Sequence, residues 1–285
     1  MGVPSRKYVD LIFKASGKYG NWDPPQKVEG IGGEIEKETG AFIREGNIFN
    51  DPDCDKLLSG IPRTQLVRTG GSEDVIRISS GVEGKIDNGL YTGLGATGEL
   101  GIRAQAAWEF TPRNRAAVLT VTNAYSNYLE VGMIFPKLRS LRKLEGKAII
   151  TEALHCFAYA LFLTEKGKGG KASLALFVGA SEAGSEVSGG ASVGWKYTSE
   201  SGVWRTACAL DGTDALYTPL YRIKKISRSW PPGRYRGGST GGPLPIARSA
   251  PTDEPWSETY FPPWEKLDED GDEVLESPTL PEREF

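Results

Sequence analysis

The 285 residues hold one histidine and three cysteines. A lone His155 excludes a histidine-rich metal centre and leaves one candidate histidine base. Cys54, Cys156 and Cys208 have neither the even number of a disulfide framework nor the paired spacing of a zinc site. Reduced thiols favour the cytosol. No run of about 18 uncharged apolar residues occurs, so no ordinary spanning helix is expected. Residues 1–18 place Asp10 and four cations around a short apolar stretch, which does not read as a signal peptide. The expected location is therefore cytoplasmic.

Motifs of catalysis are also scarce. Gly93, Gly95 and Gly98 match a dinucleotide-binding pattern, but strand alternation runs through them and Val118 stands where an acid is needed. His155 and Cys156 are neighbours on an expected strand, so they point to opposite faces and cannot act as base and nucleophile. The run from Asp268 to Glu273 resembles a calcium loop. Its glycine, Gly271, comes too early and its last position is Thr279. No nucleophile elbow or phosphate-binding lysine loop is present. We expect no enzyme, no cofactor and no metal.

Charge is split along the chain. Of 37 acidic and 34 basic side chains, 12 and 2 fall in residues 251–285, which leaves 25 and 32 for residues 1–250. A basic body suits an anionic partner. The acidic end either screens that body or keeps the chain soluble. Nucleic acid is not expected as the partner, because aromatic residues are not interleaved with the basic clusters.

The pattern of the body is mainly β. Residues 5–18 read as a short amphipathic helix, with Tyr8, Leu11, Ile12 and Ala15 on one stripe and Arg6, Lys7, Lys14 and Lys18 outside it. Short strands are expected at 28–35 and 41–48. Strict alternation over 75–87 gives an amphipathic strand that includes Ile76, Ile78, Val82 and Ile86. Asn88-Gly89 has the residues of a tight hairpin turn. Alternation resumes over 90–110, through Leu94, Leu100 and Ile102, for far longer than the usual strand of about 6 residues. Residues 117–123 make another strand. A basic segment then carries Lys137, Arg139, Arg142 and Lys143.

Residues 149–164, with Leu154, Phe157 and Leu161, are almost wholly apolar and are expected to be buried on both faces. Strands follow at 172–178, with Leu174 and Leu176, at 187–198, with Val193 and Trp195, and at 204–210 and 216–226. From Trp230 the chain turns rich in proline, glycine and acids, and residues 231–285 are expected to pack little. Within it the stretch around Arg236 and Gly238 is the expected protease-sensitive region. Residues 1–230 form the expected folded domain.

Alternating strands of this length fit a soluble sandwich. They equally fit a membrane barrel, which crosses the bilayer with roughly 9–11 residues per strand. The residues point further. The run from Ile149 to Leu154 resembles the V-V-T-E-A strand of gasdermins, and the basic segment before it resembles theirs. Residues 215–217 and 221–226 resemble the family's closing strand. Val82 to Asp87 is similar to the start of its first membrane hairpin, and Gly95 to Gly98 to the glycine-rich strand after it. The resemblance covers residues 5–228. In organisation it is closest to the short gasdermin-like cell-death and allorecognition proteins of filamentous fungi.

The resemblance implies an α+β fold: a twisted, mainly antiparallel sheet with flanking helices, able to refold into membrane β-hairpins. It implies that Arg6, Lys7, Lys14, Lys18, Lys137, Arg139, Arg142 and Lys143 bind acidic phospholipids such as phosphoinositides, cardiolipin and phosphatidylserine. It implies that 75–87 with 90–110, and 149–164 with 172–197, become membrane hairpins in the plasma membrane. Further partners would be a second copy or an allelic homologue in an oligomeric pore, and an activating protease. The chain departs from mammalian members, whose large helical inhibitory domain is replaced here by a short acidic segment. The lipid-modified cysteine of some members has no clear counterpart. The alternative is a soluble β-rich lipid- or ligand-binding module that forms no pore.

Overall fold

The computed structural model describes residues 4–24, 32–35, 40–82, 84–86, 101–112, 115–145, 147–180, 191–209, 216–226 and 257–259. In chain order these form helix α1 (Pro4–Ser16), strands β1 (Tyr19–Gly20), β2 (Gly32–Ile35) and β3 (Phe42–Arg44), and helices α2 (Pro52–Leu58) and α3 (Arg63–Leu66). Strands β4 (Val67–Ser80), β5 (Gly84–Ile86), β6 (Gly101–Phe110) and β7 (Ala117–Leu129) follow, then helix α4 (Val131–Leu138). The last strands are β8 (Ala148–Cys156), β9 (Ala158–Leu163), β10 (Gly170–Ala180), β11 (Ala191–Ser199), β12 (Val203–Cys208), β13 (Tyr217–Ile226) and β14 (Ser257–Thr259). Every strand pair described is antiparallel, in one large and one four-stranded sheet. The fold is mixed α+β.

The backbone of the large sheet is the apolar run at 149–164. It forms β8 and β9, all of whose positions are buried. Both pair with β7 in one continuous register, from Tyr128↔Glu152 to Ala117↔Leu163. The only interruption is at Phe157, opposite Asn123, which has φ 49°. Asparagine tolerates that left-handed conformation better than most residues. The other edge of this strand is covered by β13 and β12. A strand with neighbours on both edges and layers on both faces favours apolar side chains on both faces, with its few polar ones partnered, which is why alternation is absent here.

The four-stranded sheet extends four strands of the large one. Its order is β11-β10-β6-β5, and in the large sheet β12, β9, β7 and β4 neighbour each other in the same order. Each small-sheet strand is joined in the chain to the large-sheet strand at its own position. The β6–β10 pairing, from Phe110↔Gly170 to Ala104↔Leu176, keeps the register of β7 with β9, and shifts by one residue beyond Leu176. Between them the Thr164 N–H donates to the Ala116 carbonyl at 2.9 Å, and the Ala116 N–H to Thr164 Oγ1 at 2.7 Å.

Glycines turn the outer strands between sheets. Gly81, with φ +72°, separates β4 from β5, and a Cβ there would lie 2.3 Å from the Arg115 carbonyl oxygen. Gly202, with φ +109°, separates β11 from β12, and a Cβ would lie 2.6 Å from the Leu163 carbonyl oxygen. Only glycine fits such positions without strain.

Three differences from the sequence reading stand out. Residues 75–87 are not one strand: they divide at Gly81 between two sheets. The pairing Ile86↔Ala107 is not one that a two-residue turn at Asn88-Gly89 can make, because such a turn would bring Ile86 opposite Tyr91. Asn88 and Gly89 themselves lie outside the described residues. Third, Ser257–Thr259, in the segment expected to pack little, pairs with β13.

Apolar burial falls into three groups. Tyr8, Val9, Leu11 and Ile12 of α1 pack on Leu119, Val121, Leu161 and Leu163. Pro4 opens α1, where its fixed φ suits the first helical turn, and Gly17, with φ 67°, ends it by donating its N–H to Phe13 O at 2.8 Å. Ala15, expected on the buried stripe, is exposed. Cys54 and Leu58 of α2 and Ile134, Phe135 and Leu138 of α4 surround Ile149 and Ile226. Trp108, Phe110 and Leu174 of the small sheet meet Val118, Ala160 and Phe162 of the large one.

Candidate membrane-active surface

The small sheet is amphipathic by strand geometry. Ala106, Trp108 and Phe110 on β6 are buried, as are Ala172, Leu174 and Leu176 on β10. Cross-strand partners share a face, and Leu174↔Ala106 and Ala172↔Trp108 place these sets together. The opposite face carries Gln105, Glu109, Lys171, Ser173 and Thr198. There Ser173 Oγ and Thr198 Oγ1 are 2.8 Å apart, and Glu109 stands across from Lys171. Strands β6, β10 and β11 have 10, 11 and 9 residues. At about 3.3 Å per residue, that is close to the thickness of a bilayer's hydrocarbon core.

The apolar face is covered by aromatic side chains at the junction of the sheets. Phe162 lies 4.6 Å from Trp204 and 5.4 Å from Phe110, measured between ring centroids, and Trp108 lies 6.2 Å from Trp204. Trp195 is half-buried against this group and donates Nε1–H to the Ala207 carbonyl at 3.1 Å. The cover is thus part of the body itself.

The expected membrane residues divide. Leu174, Leu176 and Trp195 belong to the small sheet. Ile86, Ile102 and Val193 are on its strands β5, β6 and β11. Val82 lies between β4 and β5, packed at the junction. Ile76 and Ile78 are in β4 of the large sheet, half-buried against the core beneath α1. Leu154 and Leu161 are buried in the large sheet, and Phe157 is half-buried at its break. Leu94, Leu100, Arg236 and Gly238 lie outside the described residues.

In this structure 149–164 and 172–197 are not paired with each other. Instead β10 pairs with β11 on one edge and β6 on the other. The almost wholly apolar run takes the two-sided burial of the central strand, and the alternating runs take the sheet with one polar face.

The basic residues also divide. Lys137, Arg139 and Arg142 are exposed after and within the last turn of α4 and the short 3-10 turn at Arg142–Leu144. Lys143 is held by Asp51 and Asp53, at 2.7 Å from Asp51 Oδ2 and from Asp53 Oδ2. Asp51 also caps α2 by accepting from the N–H groups of Asp53 and Cys54. Its hydrogen bond from Lys143 is the main cause that lowers its pKa to about 2.

On α1, Lys14 is exposed and lies 3.6 Å from Asp10. Arg6 is half-buried and Lys7 is only 5% exposed. The expectation that Lys7 is a surface cation is therefore corrected: the side of α1 that carries it is turned into the protein. Lys18 bonds Glu152, whose other oxygen lies 3.5 Å from Arg222 Nε. Glu152 was not singled out from the sequence. Its signal is that it is the single acid within the apolar run at 149–164.

His155 and Cys156 are both fully buried. His155 Nδ1 is 3.1 Å from Thr218 Oγ1, and burial pushes the Cys156 thiol pKa up. Among the described residues no group of His, Cys, Asp or Glu could hold a metal ion. No described helix is long and apolar enough to cross a membrane. No family model matches the chain, and a search of curated proteins finds no match.

Proposed function

We propose that the chain is a gasdermin-like pore-forming protein. It binds acidic phospholipids, oligomerises and permeabilises the plasma membrane, causing regulated cell death of the heterokaryon-incompatibility type. One observation carries this reading. Two hairpin units, β5 with β6 and β10 with β11, lie side by side as a sheet with one apolar and one polar face, each strand of membrane-spanning length or continuing toward residues outside the described set. Movement at the four chain links that join its strands to β4, β7, β9 and β12 would carry that sheet away from the body without changing strand order. Closure with copies of itself would satisfy the remaining edges.

In this reading the exposed Lys137, Arg139 and Arg142 meet the lipid first. Phosphoinositides, cardiolipin and phosphatidylserine supply the complementary charge. The inactive chain resides in the cytoplasm. A second copy, an allelic homologue or a protease supplies activation. The covered apolar face, against Phe162 and Trp204, favours a second reading as a soluble lipid- or ligand-binding module.

Dye release from vesicles separates the two. A pore former releases dye from vesicles containing cardiolipin or phosphoinositide and spares neutral ones. A binding module sediments with the acidic vesicles and releases nothing, and that result overturns the pore reading.

A further inference from the structure

One edge of β13 is occupied by β8, from Tyr217↔Cys156 to Lys225↔Ala148. Its opposite edge carries two short pieces. β1 pairs at Leu220 and Tyr221, and β14 pairs at Lys224, Lys225 and Ile226. A free sheet edge presents alternating N–H and C=O groups that capture extended chain. Here the residues paired along the edge are Lys224, Lys225 and Ile226. The segment seated on it comes from the most acidic part of the protein, with Asp253, Glu254 and Glu258 in and beside β14.

We propose that the outer edge of β13 is a strand-addition site for an extended acidic segment, filled in the resting chain by its own Ser257–Thr259. The backbone ladder supplies affinity without regard to sequence, and Lys224 and Lys225 select an acidic strand over a neutral one. The register sets Glu258 opposite Lys225 and Thr259 opposite Lys224. Only three residues pair, so the ladder alone is weak. Residues 227–256 tether it and keep its effective concentration high. An extended acidic peptide on another protein is the partner this edge fits once the tether's strand has left. The site is independent of pore formation, and its readouts require no membrane.

The test uses the full-length chain and a labelled synthetic peptide of residues 251–262. The double variant Glu258→Pro/Thr259→Pro removes two consecutive amides, so it breaks the ladder whichever of them is bonded. Amide hydrogen exchange at Lys224–Ile226 is expected to speed up at least tenfold in the variant. The peptide is expected to bind the variant at least tenfold more tightly than the unaltered chain and to restore protection. Adding Lys224→Glu/Lys225→Glu is expected to weaken peptide binding at least tenfold, as is raised salt. Glu258→Lys leaves the backbone able to pair and is expected to speed the same amides. Equal exchange in all the chains overturns the proposal. So does equal binding of a peptide of the same length in which every Asp is Asn and every Glu is Gln.

Discussion

Lys18 Nζ hydrogen-bonds the buried carboxylate of Glu152, tying the segment after α1 to the middle of β8. Arg222 on β13 approaches the same carboxylate. One side chain thus joins the helix side, the central strand and the closing strand. Removing one member of a buried pair costs more than the pair contributes, because the remaining charge loses its partner. Glu152→Ala is expected to lower unfolding stability by about 2 kcal/mol, measured by urea denaturation. Glu152→Gln, which keeps the volume and a hydrogen-bond acceptor, should cost less.

Tyr8 on α1 is fully buried, and its hydroxyl has no hydrogen-bond partner among the described residues. A buried hydroxyl without a partner pays its desolvation penalty in full. Tyr8→Phe is therefore expected to stabilise the protein by about 1 kcal/mol. It should also slow dye release if α1 must leave its seat before the sheet can move. A lower melting temperature for this variant would show that Tyr8 Oη has a partner.

Alkaline pH should weaken the fold. Burial raises the pKa of Tyr8 well above its ordinary 10, that of Cys208 to about 11 and that of Cys54 to about 12. These groups are neutral in the folded state at pH values where the unfolded chain has already released their protons. Their contribution is complete below pH of about 8.5 and is lost as pH rises through 9 to 11–12. Urea midpoints at pH 7.5 and 10.5 are expected to fall, and to fall less in Cys208→Ala. At the acid end, Asp51, lowered to about 2, contributes above pH of about 4 and loses that contribution as pH falls toward 2.

The aromatic cover at the sheet junction should control how readily the small sheet moves. Phe162 is fully buried between Phe110 and Trp204. Phe162→Ala is expected to destabilise by about 3–5 kcal/mol. Phe162→Leu keeps most of the volume and should fold, yet release dye faster at equal protein concentration. Unchanged release by a folded Phe162→Leu would remove this contact from the opening step.

Lipid attraction should track exposure and not charge count. A cation near an anionic surface contributes about 1 kcal/mol. Lys137→Ala/Arg139→Ala/Arg142→Ala is expected to weaken sedimentation with acidic vesicles by orders of magnitude while leaving the melting temperature within a few degrees. Lys143→Ala should change binding little, because Asp51 and Asp53 already neutralise that side chain.

Much of this was legible in the residues. The 3.6-residue period of Tyr8, Leu11 and Ile12 set the buried stripe of α1, and period two set β6 and the second half of β4, from Val75, while residues 67–74 carried no such signal. The almost wholly apolar run at 149–164 announced a strand buried on both faces. These follow from local geometry, since side-chain direction repeats along a helix or strand whatever surrounds it. The sequence alone also separated a basic body from an acidic end.

Pairing was decided only in three dimensions. Period two says which residues share a face, but not which strand lies beside them. The 149–164 run pairs with β7, β12 and β13 and not with 172–197, because only the centre of the large sheet buries both of its faces. The alternation over 75–87 continues through Gly81 although the backbone there turns into another sheet, since a positive φ leaves no mark on hydrophobic pattern. Lys7, Lys18 and Lys143 read as surface cations in the chain. The fold buries the first and gives the other two carboxylates from Glu152, Asp51 and Asp53. Those partners are remote in sequence, and a charge is neutralised by what stands beside it in space.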